Sequence, residues 1–290
     1  MSSRSSTRRL TTGGAALAAL VVAVALAPTA RTSPGHLAYT SMIQSAPEQS
    51  SNWAGFVTTS ADPTTPITFT NVTATWREPD TYCGENDSDS SAAFWIGLGG
   101  YSQTSQALEQ IGVSSDCLPT GPPSYYAWYE LVPNPPISFA MAIGPGDVVS
   151  ASVHSKGQTM IFELRDRTRG TAASMRAVDT APDLTSADWI AEAPSSCSSA
   201  SCVAEPIANF SSVAFSQVSV TGNGHVGALA DPTWTSVPVQ LVPTAQQSFW
   251  SGPLRGNVSY DSTAGTCLPS TTTAAGTSFK IAWNAQAANC

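Results

Sequence analysis

A chain of 290 residues, 42% of them hydrophobic and only 11% charged, can bury a sizeable core, and a net charge of -8 leaves no cationic surplus for binding nucleic acid. Ser, Thr, Gly and Pro are abundant and the only lysines are Lys156 and Lys280, which is the profile of an extracellular β protein rather than a cytosolic helical one. An acidic surface also loses its charge at low pH, which limits the self-repulsion that unfolds many proteins in acid.

Taken in chain order, residues 1–30 read as an export signal. Arg4, Arg8 and Arg9 form a basic start, and Ala15 to Ala27 is an apolar run too short to span a membrane. The expectation is a secreted, extracellular protein with no membrane partner after signal removal. Residues 31–48, polar and containing Pro34 and Pro47, read as a flexible leader or short prosegment. Residues 49–290 then form one domain.

From Ser50 onward, short apolar or alternating runs are separated by Gly, Pro, Asn and Ser clusters. Such runs are Phe69 to Trp76, Ala92 to Leu98, Tyr125 to Leu131, Val148 to Val153, Met160 to Arg165, Val213 to Val220 and Phe279 to Trp283. Turns fall at Pro133-Asn134-Pro135-Pro136 and Gly144-Pro145-Gly146-Asp147, and no helical period persists after the signal. The expected fold is all-β: an antiparallel β-sandwich of two bent sheets, concanavalin-like.

Six cysteines in an exported chain most simply make three disulfides. Cys197 and Cys202 suit a local pair, and Cys83 with Cys117 and Cys267 with Cys290 are the near-neighbour choices among several. Zinc ligation is the weaker reading, since there is no Cys-x-x-Cys and only three histidines. Asp87-Ser88-Asp89 with Glu85 lacks the Gly and closing Glu of a calcium loop and reads as acidic surface.

The usual hydrolytic sets are missing. No serine sits in Gly-x-Ser-x-Gly, no His-Glu-x-x-His occurs, and neither Asp-Thr-Gly nor Asp-Ser-Gly is present. His154 at a strand end and His225 in a Gly-rich turn read as solvated surface residues. What remains for hydrolysis is carboxylate chemistry. In Ala187-Asp188-Trp189-Ile190-Ala191-Glu192, strand alternation puts Asp188, Ile190 and Glu192 on one face. On a concave, aromatic-lined face Glu192 would be partly desolvated and its pKa raised, suiting it to act on water and then on a leaving amine. In Ala107-Leu108-Glu109-Gln110-Ile111-Gly112, the neutral Gln110 amide can donate to an oxyanion at any pH. Each segment alone is also compatible with a plain surface or sheet-edge role.

Together with Ser51-Asn52-Trp53-Ala54-Gly55, Phe94-Trp95-Ile96-Gly97 and Trp128-Tyr129-Glu130, the set resembles the glutamic peptidases, also called eqolisins, which are acid-acting secreted endopeptidases. The resemblance covers about Ser50 to Phe215. It implies Gln110 and Glu192 as catalytic residues, Trp53, Trp95, Tyr129 and Glu130 at the substrate cleft, polypeptide substrates, a monomer, and no metal or organic cofactor. Glu130 is expected to help keep Glu192 protonated. Two departures stand out: the family's Trp-x-Gly-x-Asp-Gly reads Trp95-Ile96-Gly97-Leu98-Gly99-Gly100 here, and Val113-Ser114-Ser115 follows the Gln segment without the expected aspartate. The rival readings are a carbohydrate-binding, lectin-like sandwich using the tryptophans, and a glycosidase using Glu130 with Glu192.

Overall fold

The computed structural model describes residues 46–83, 90–118, 121–197, 202–242, 258–260 and 266–285, all within the unit Met42–Cys290. The expected signal segment, nearly all of the expected leader, the acidic loop at Asp87 and the partner proposed for Cys267 lie outside these residues.

Nineteen strands are present among the described residues. The first six are β1 (Glu48–Ser50), β2 (Trp53–Ser60), β3 (Phe69–Arg77), β4 (Ser91–Gly99), β5 (Leu108–Asp116) and β6 (Ser124–Val132). Next come β7 (Ile137–Ser138), β8 (Val148–Lys156), β9 (Thr159–Asp166), β10 (Thr171–Val178), β11 (Ser186–Glu192), β12 (Ser195–Cys197) and β13 (Cys202–Ala204). The last are β14 (Ser212–Gly222), β15 (His225–Gly227), β16 (Trp234–Leu241), β17 (Val258–Tyr260), β18 (Thr266–Pro269) and β19 (Ser278–Asn284). Each apolar run singled out in the sequence lies inside one of them.

The strands form an antiparallel β-sandwich. A front layer runs β16-β2-β11-β4-β5-β6-β7, and a back layer runs β10-β9-β8-β3-β14-β19. The two expected sheets are these layers, and β18 bridges β19 and β16 to join them into one bent, hydrogen-bonded path. Bending one long path over itself lets both layers share a core without a second set of exposed edges. β1 adds to β16 in parallel, with Ser50 opposite Leu241.

Alternation fills the space between the layers. Phe94, Ile96, Leu98, Ile111, Val113 and Trp189 point inward from the front, and Phe69, Val72, Trp76, Phe162 and Phe215 from the back. Each such side chain contributes roughly 1.5–3 kcal/mol by leaving water. Cys83 and Cys117 are disulfide-bonded, tying the β3–β4 connection to the end of β5. The front strands β4 and β5 are buried on both faces, because a second apolar cluster, built from Trp53, Trp95, Leu108, Trp128, Ile190 and Val239, covers their outer side.

Candidate active site

Three strands deliver the polar groups of this second cluster. On β11 the odd residues Trp189 and Ala191 enter the inter-layer core, so Asp188, Ile190 and Glu192 face outward. The same parity on β5 and β6 turns Gln110 and Glu130 to that face. β4 lies between β11 and β5, with Glu192 opposite Ala93 and Gln110 opposite Gly97. Gln110 is directly opposite Glu130 on β6. Gly112 faces Trp95 across β4 and β5, and a Cβ there would meet the Phe94 carbonyl oxygen at 2.4 Å and the Trp95 Cβ at 2.5 Å. Only glycine lets the two strands close at this point.

Glu192 is partly exposed and held by neutral donors. Trp95 Nε1 donates to Oε2 at 2.7 Å and Asn52 Nδ2 to Oε1 at 3.3 Å. Burial pushes its pKa up to about 8; the Trp95, Trp53 and Asn52 donors pull against that, and the nearby Glu130 charge adds to it. Glu130 is pushed up to about 7 by burial, opposed by its hydrogen bond from Gln110 Nε2 at 2.5 Å. That bond orients the Gln110 amide, whose buried Oε1 has no hydrogen-bond partner among the described residues. Glu192, Glu130 and Gln110 therefore bear on one another without any lysine or arginine between them.

The aromatic residues take different places from those the sequence implies. Trp53 and Trp95 are both 0% exposed and pack edge to face with ring centroids 4.9 Å apart. They underlie the carboxyl of Glu192 rather than form an open wall. Tyr129 is a correction: its neighbour Glu130 occupies the outer face, so strand alternation sends Tyr129 into the inter-layer core against Phe139 and Phe162. It cannot line a cleft on the outer face. Trp128 does lie on that face, where Nε1 donates to Ser114 Oγ at 2.8 Å. Asn52 is a neighbour of Glu192 that sequence reasoning passed over, although it stands in the Ser51-Asn52-Trp53 motif.

At the first departure from the family pattern, a Cβ on Gly99 would come within 2.4 Å of the Asp183 carbonyl oxygen and 2.7 Å of its Cβ. Asp183 fills the space that a side chain at position 99 would need, and its carboxylate accepts from Ser105 Oγ and Gly100 N. His154 and His225 are exposed, and His225 pairs with Asp231 at 2.8 Å. Among the described residues no three His, Cys, Asp or Glu side chains converge as a metal site requires. A trough of about 420 Å³ lies on the outer face of the back layer, lined by Thr75, Ser150, Ser152, Glu163, Arg165 and Arg167. It is on the other layer from Glu192 and Gln110.

Residues 51–242 match the Peptidase A4 family. The chain is 28% identical over 208 residues to aspergillopepsin-2 of Aspergillus niger, covering 64% of this chain and 70% of that protein. Among solved structures, scytalido-glutamic peptidase with a transition state analog inhibitor matches with a TM-score of 0.60 at 24% identity, over 80% of this chain and 98% of that one. SCP-B, a member of the eqolisin family in complex with the tripeptide Ala-Ile-His, matches with a TM-score of 0.57, at the same identity and coverage. These two share the fold. The match over residues 51–242 places the chain in the Peptidase A4 family, that of the glutamic peptidases or eqolisins.

Proposed function

We propose that this glutamic endopeptidase cleaves polypeptides by direct addition of water, with Glu192 moving the protons and Gln110 stabilising the tetrahedral intermediate. The observation that carries the reading is a carboxyl with a raised pKa, held by neutral donors on the same strand face as an oriented amide. With its midpoint near 8, Glu192 is neutral in acid. A neutral carboxyl can take a proton from water on one oxygen and release its own from the other to the scissile carbonyl oxygen. The water oxygen then bonds to the carbonyl carbon as the C=O π bond opens, and Glu192 ends the step neutral.

One Nε2 hydrogen of Gln110 is engaged by Glu130, so the other is available to the former carbonyl oxygen. Collapse of the intermediate reverses the proton flow. Glu192 gives a proton to the leaving nitrogen, takes one from a hydroxyl of the intermediate, and the C–N bond breaks without a covalent enzyme intermediate. With the neutral form as the working one, activity is expected throughout the range below about 8, acid included, and export is supported by the character of residues 1–30. Lectin-like stacking on Trp53 and Trp95 would need exposed rings, and these are buried.

The test is hydrolysis of an unfolded protein from acid to neutral pH by the wild type, Glu192→Gln and Gln110→Ala. Removing a proton-transfer group costs on the order of 10²–10⁴-fold and an oxyanion donor on the order of 10²–10³-fold in kcat. Wild-type rates in either variant would remove that residue from the mechanism, and an active Gln110→Ala would turn attention to a paired-carboxylate reading.

A further inference from the structure

We propose that Ser50 and Asn52 are positioning residues for Glu192, with Ser50 locking the Asn52 amide in the one orientation that presents Nδ2 to the Glu192 carboxyl. The inference rests on Glu192 acting as the proton-transfer group. Both residues are 0% exposed and lie where β1 turns into β2. The backbone N–H groups of Asn52 and Trp53 donate to Ser50 Oγ at 3.3 and 3.1 Å. A hydroxyl oxygen has two lone pairs, so these bonds use its accepting capacity and leave only its hydrogen to give. That hydrogen goes to Asn52 Oδ1 at 3.0 Å. A flipped amide would set N–H groups against a hydroxyl with nothing left to accept them.

With Oδ1 held, Nδ2 reaches Glu192 Oε1. The Asn52 carbonyl also accepts from Ala193 N at 2.8 Å, so Asn52 grips the end of β11 by both backbone and side chain. Ser50 is itself anchored, because its carbonyl accepts from Val242 N at 2.7 Å beyond β16. The consequence concerns the proton. Trp95 makes Oε2 an acceptor and Asn52 makes Oε1 an acceptor, so the acidic hydrogen of neutral Glu192 is turned away from the protein toward the face where a substrate would lie. The other groups around the carboxyl are the Trp53 indole, which also lowers its pKa, and Glu130 on β6, which raises it.

The experiment compares kcat, KM and the alkaline limb of the pH–rate profile for wild type, Ser50→Ala, Asn52→Ala and the double variant, with thermal unfolding measured in parallel. A lost donor disfavours the Glu192 carboxylate, so the limb should move to higher pH by roughly half a unit or more. kcat should fall about tenfold with KM within about twofold, since the group acts on the reacting atoms through Glu192. Ser50→Ala should shift the limb in the same direction by a smaller amount, and the double variant should match Asn52→Ala alone. A limb that stays put while only the unfolding temperature drops would overturn the proposal, as would additive effects. Should Asn52→Ala fail to fold, Ser50→Ala alone decides. Turnover retained in Glu192→Gln would instead overturn the catalytic reading itself.

Discussion

The two layers of the sandwich differ in the cations they offer to their acids. On the back layer, β8 and β9 alternate buried and exposed positions, and the described cations Arg77, Lys156, Arg165, Arg167, Arg169, Arg176 and Lys280 all lie on its strands or turns. Two buried acids there find a counter-ion, since Arg169 Nε lies 2.6 Å from Asp147 and 3.4 Å from Asp166, whereas Glu78, next after β3, is held by the Trp76 indole and pushed up to about 8 by burial. The front strands β2, β4, β5, β6, β11 and β16 contain no lysine or arginine. The buried and half-buried carboxyls of Glu109, Asp188, Glu130 and Glu192 on these strands are held above the ordinary carboxylate range. Burial and the neighbouring Asp179 and Asp183 push Glu109 up to about 10, burial and Asp183 hold Asp188 well above the usual range, and Glu130 and Glu192 are raised as already described. A carboxyl kept neutral by its surroundings can donate a proton in the reaction, which one paired with arginine cannot do.

The sharpest way to break this contrast is to pry the front layer open. Gly112→Ala places a Cβ against the backbone of β4, and the overpacking should cost about 3 kcal/mol or more, lowering the thermal midpoint by many degrees or preventing soluble expression. A variant as stable as the wild type would mean that β4 and β5 are not so closely apposed.

A second test reads the neutral acids through stability. A carboxyl raised above its ordinary value of 4.5 keeps its proton in the folded chain after the unfolded chain has released it. Its contribution is therefore full below about 4.5 and declines as pH rises toward the folded midpoint, near 10 for Glu109. The melting temperature should fall steadily between pH 5 and pH 9 by roughly several degrees, and Glu109→Gln should flatten that slope, as calorimetry would show. An unchanged slope would mean that Glu109 is ionised in the folded protein.

Glu130→Gln makes a smaller, directional change. Removing a charge that raises Glu192 should lower its pKa and draw the alkaline limb of activity down by roughly half a unit. That is the direction opposite to the Asn52 variant. A limb that does not move would detach Glu130 from Glu192. The smallest effect is expected on the back layer, where Ser152→Ala should change stability by no more than about 0.5 kcal/mol and leave peptidase activity alone.

Much of this was legible in the residues. Period-two runs broken by Gly, Pro and Asn located the strands, because a strand must alternate and a turn needs special backbone angles. β4 was readable for another reason: nine residues without a charge, Ser91–Gly99, fit a strand covered on both faces. Alternation within Ala187–Glu192 put Glu192 on the face opposite Trp189, and the family resemblance singled out Gln110. The same alternation argued against Tyr129 at the cleft, since it cannot share a face with Glu130. The motif outweighed the parity there, and the structure favours the parity.

Other features were out of reach of any local rule. Asn52 bonds to Glu192 across 140 positions of chain, and the contact exists only because β2 pairs with β11. The closure of two sheets into one path depends on β18 meeting both β16 and β19. Asp183 fills the space beside Gly99 from a connection more than eighty residues away.

By itself, then, the amino-acid order determined which segments extend and which faces are apolar, since these follow from residue type at a spacing of two. Only the tertiary structure decided which donors surround Glu192, which carboxyls stay neutral and which aromatic rings are covered. Those properties arise from desolvation and from contacts between strands far apart in the chain, and neither is encoded in any single stretch of it.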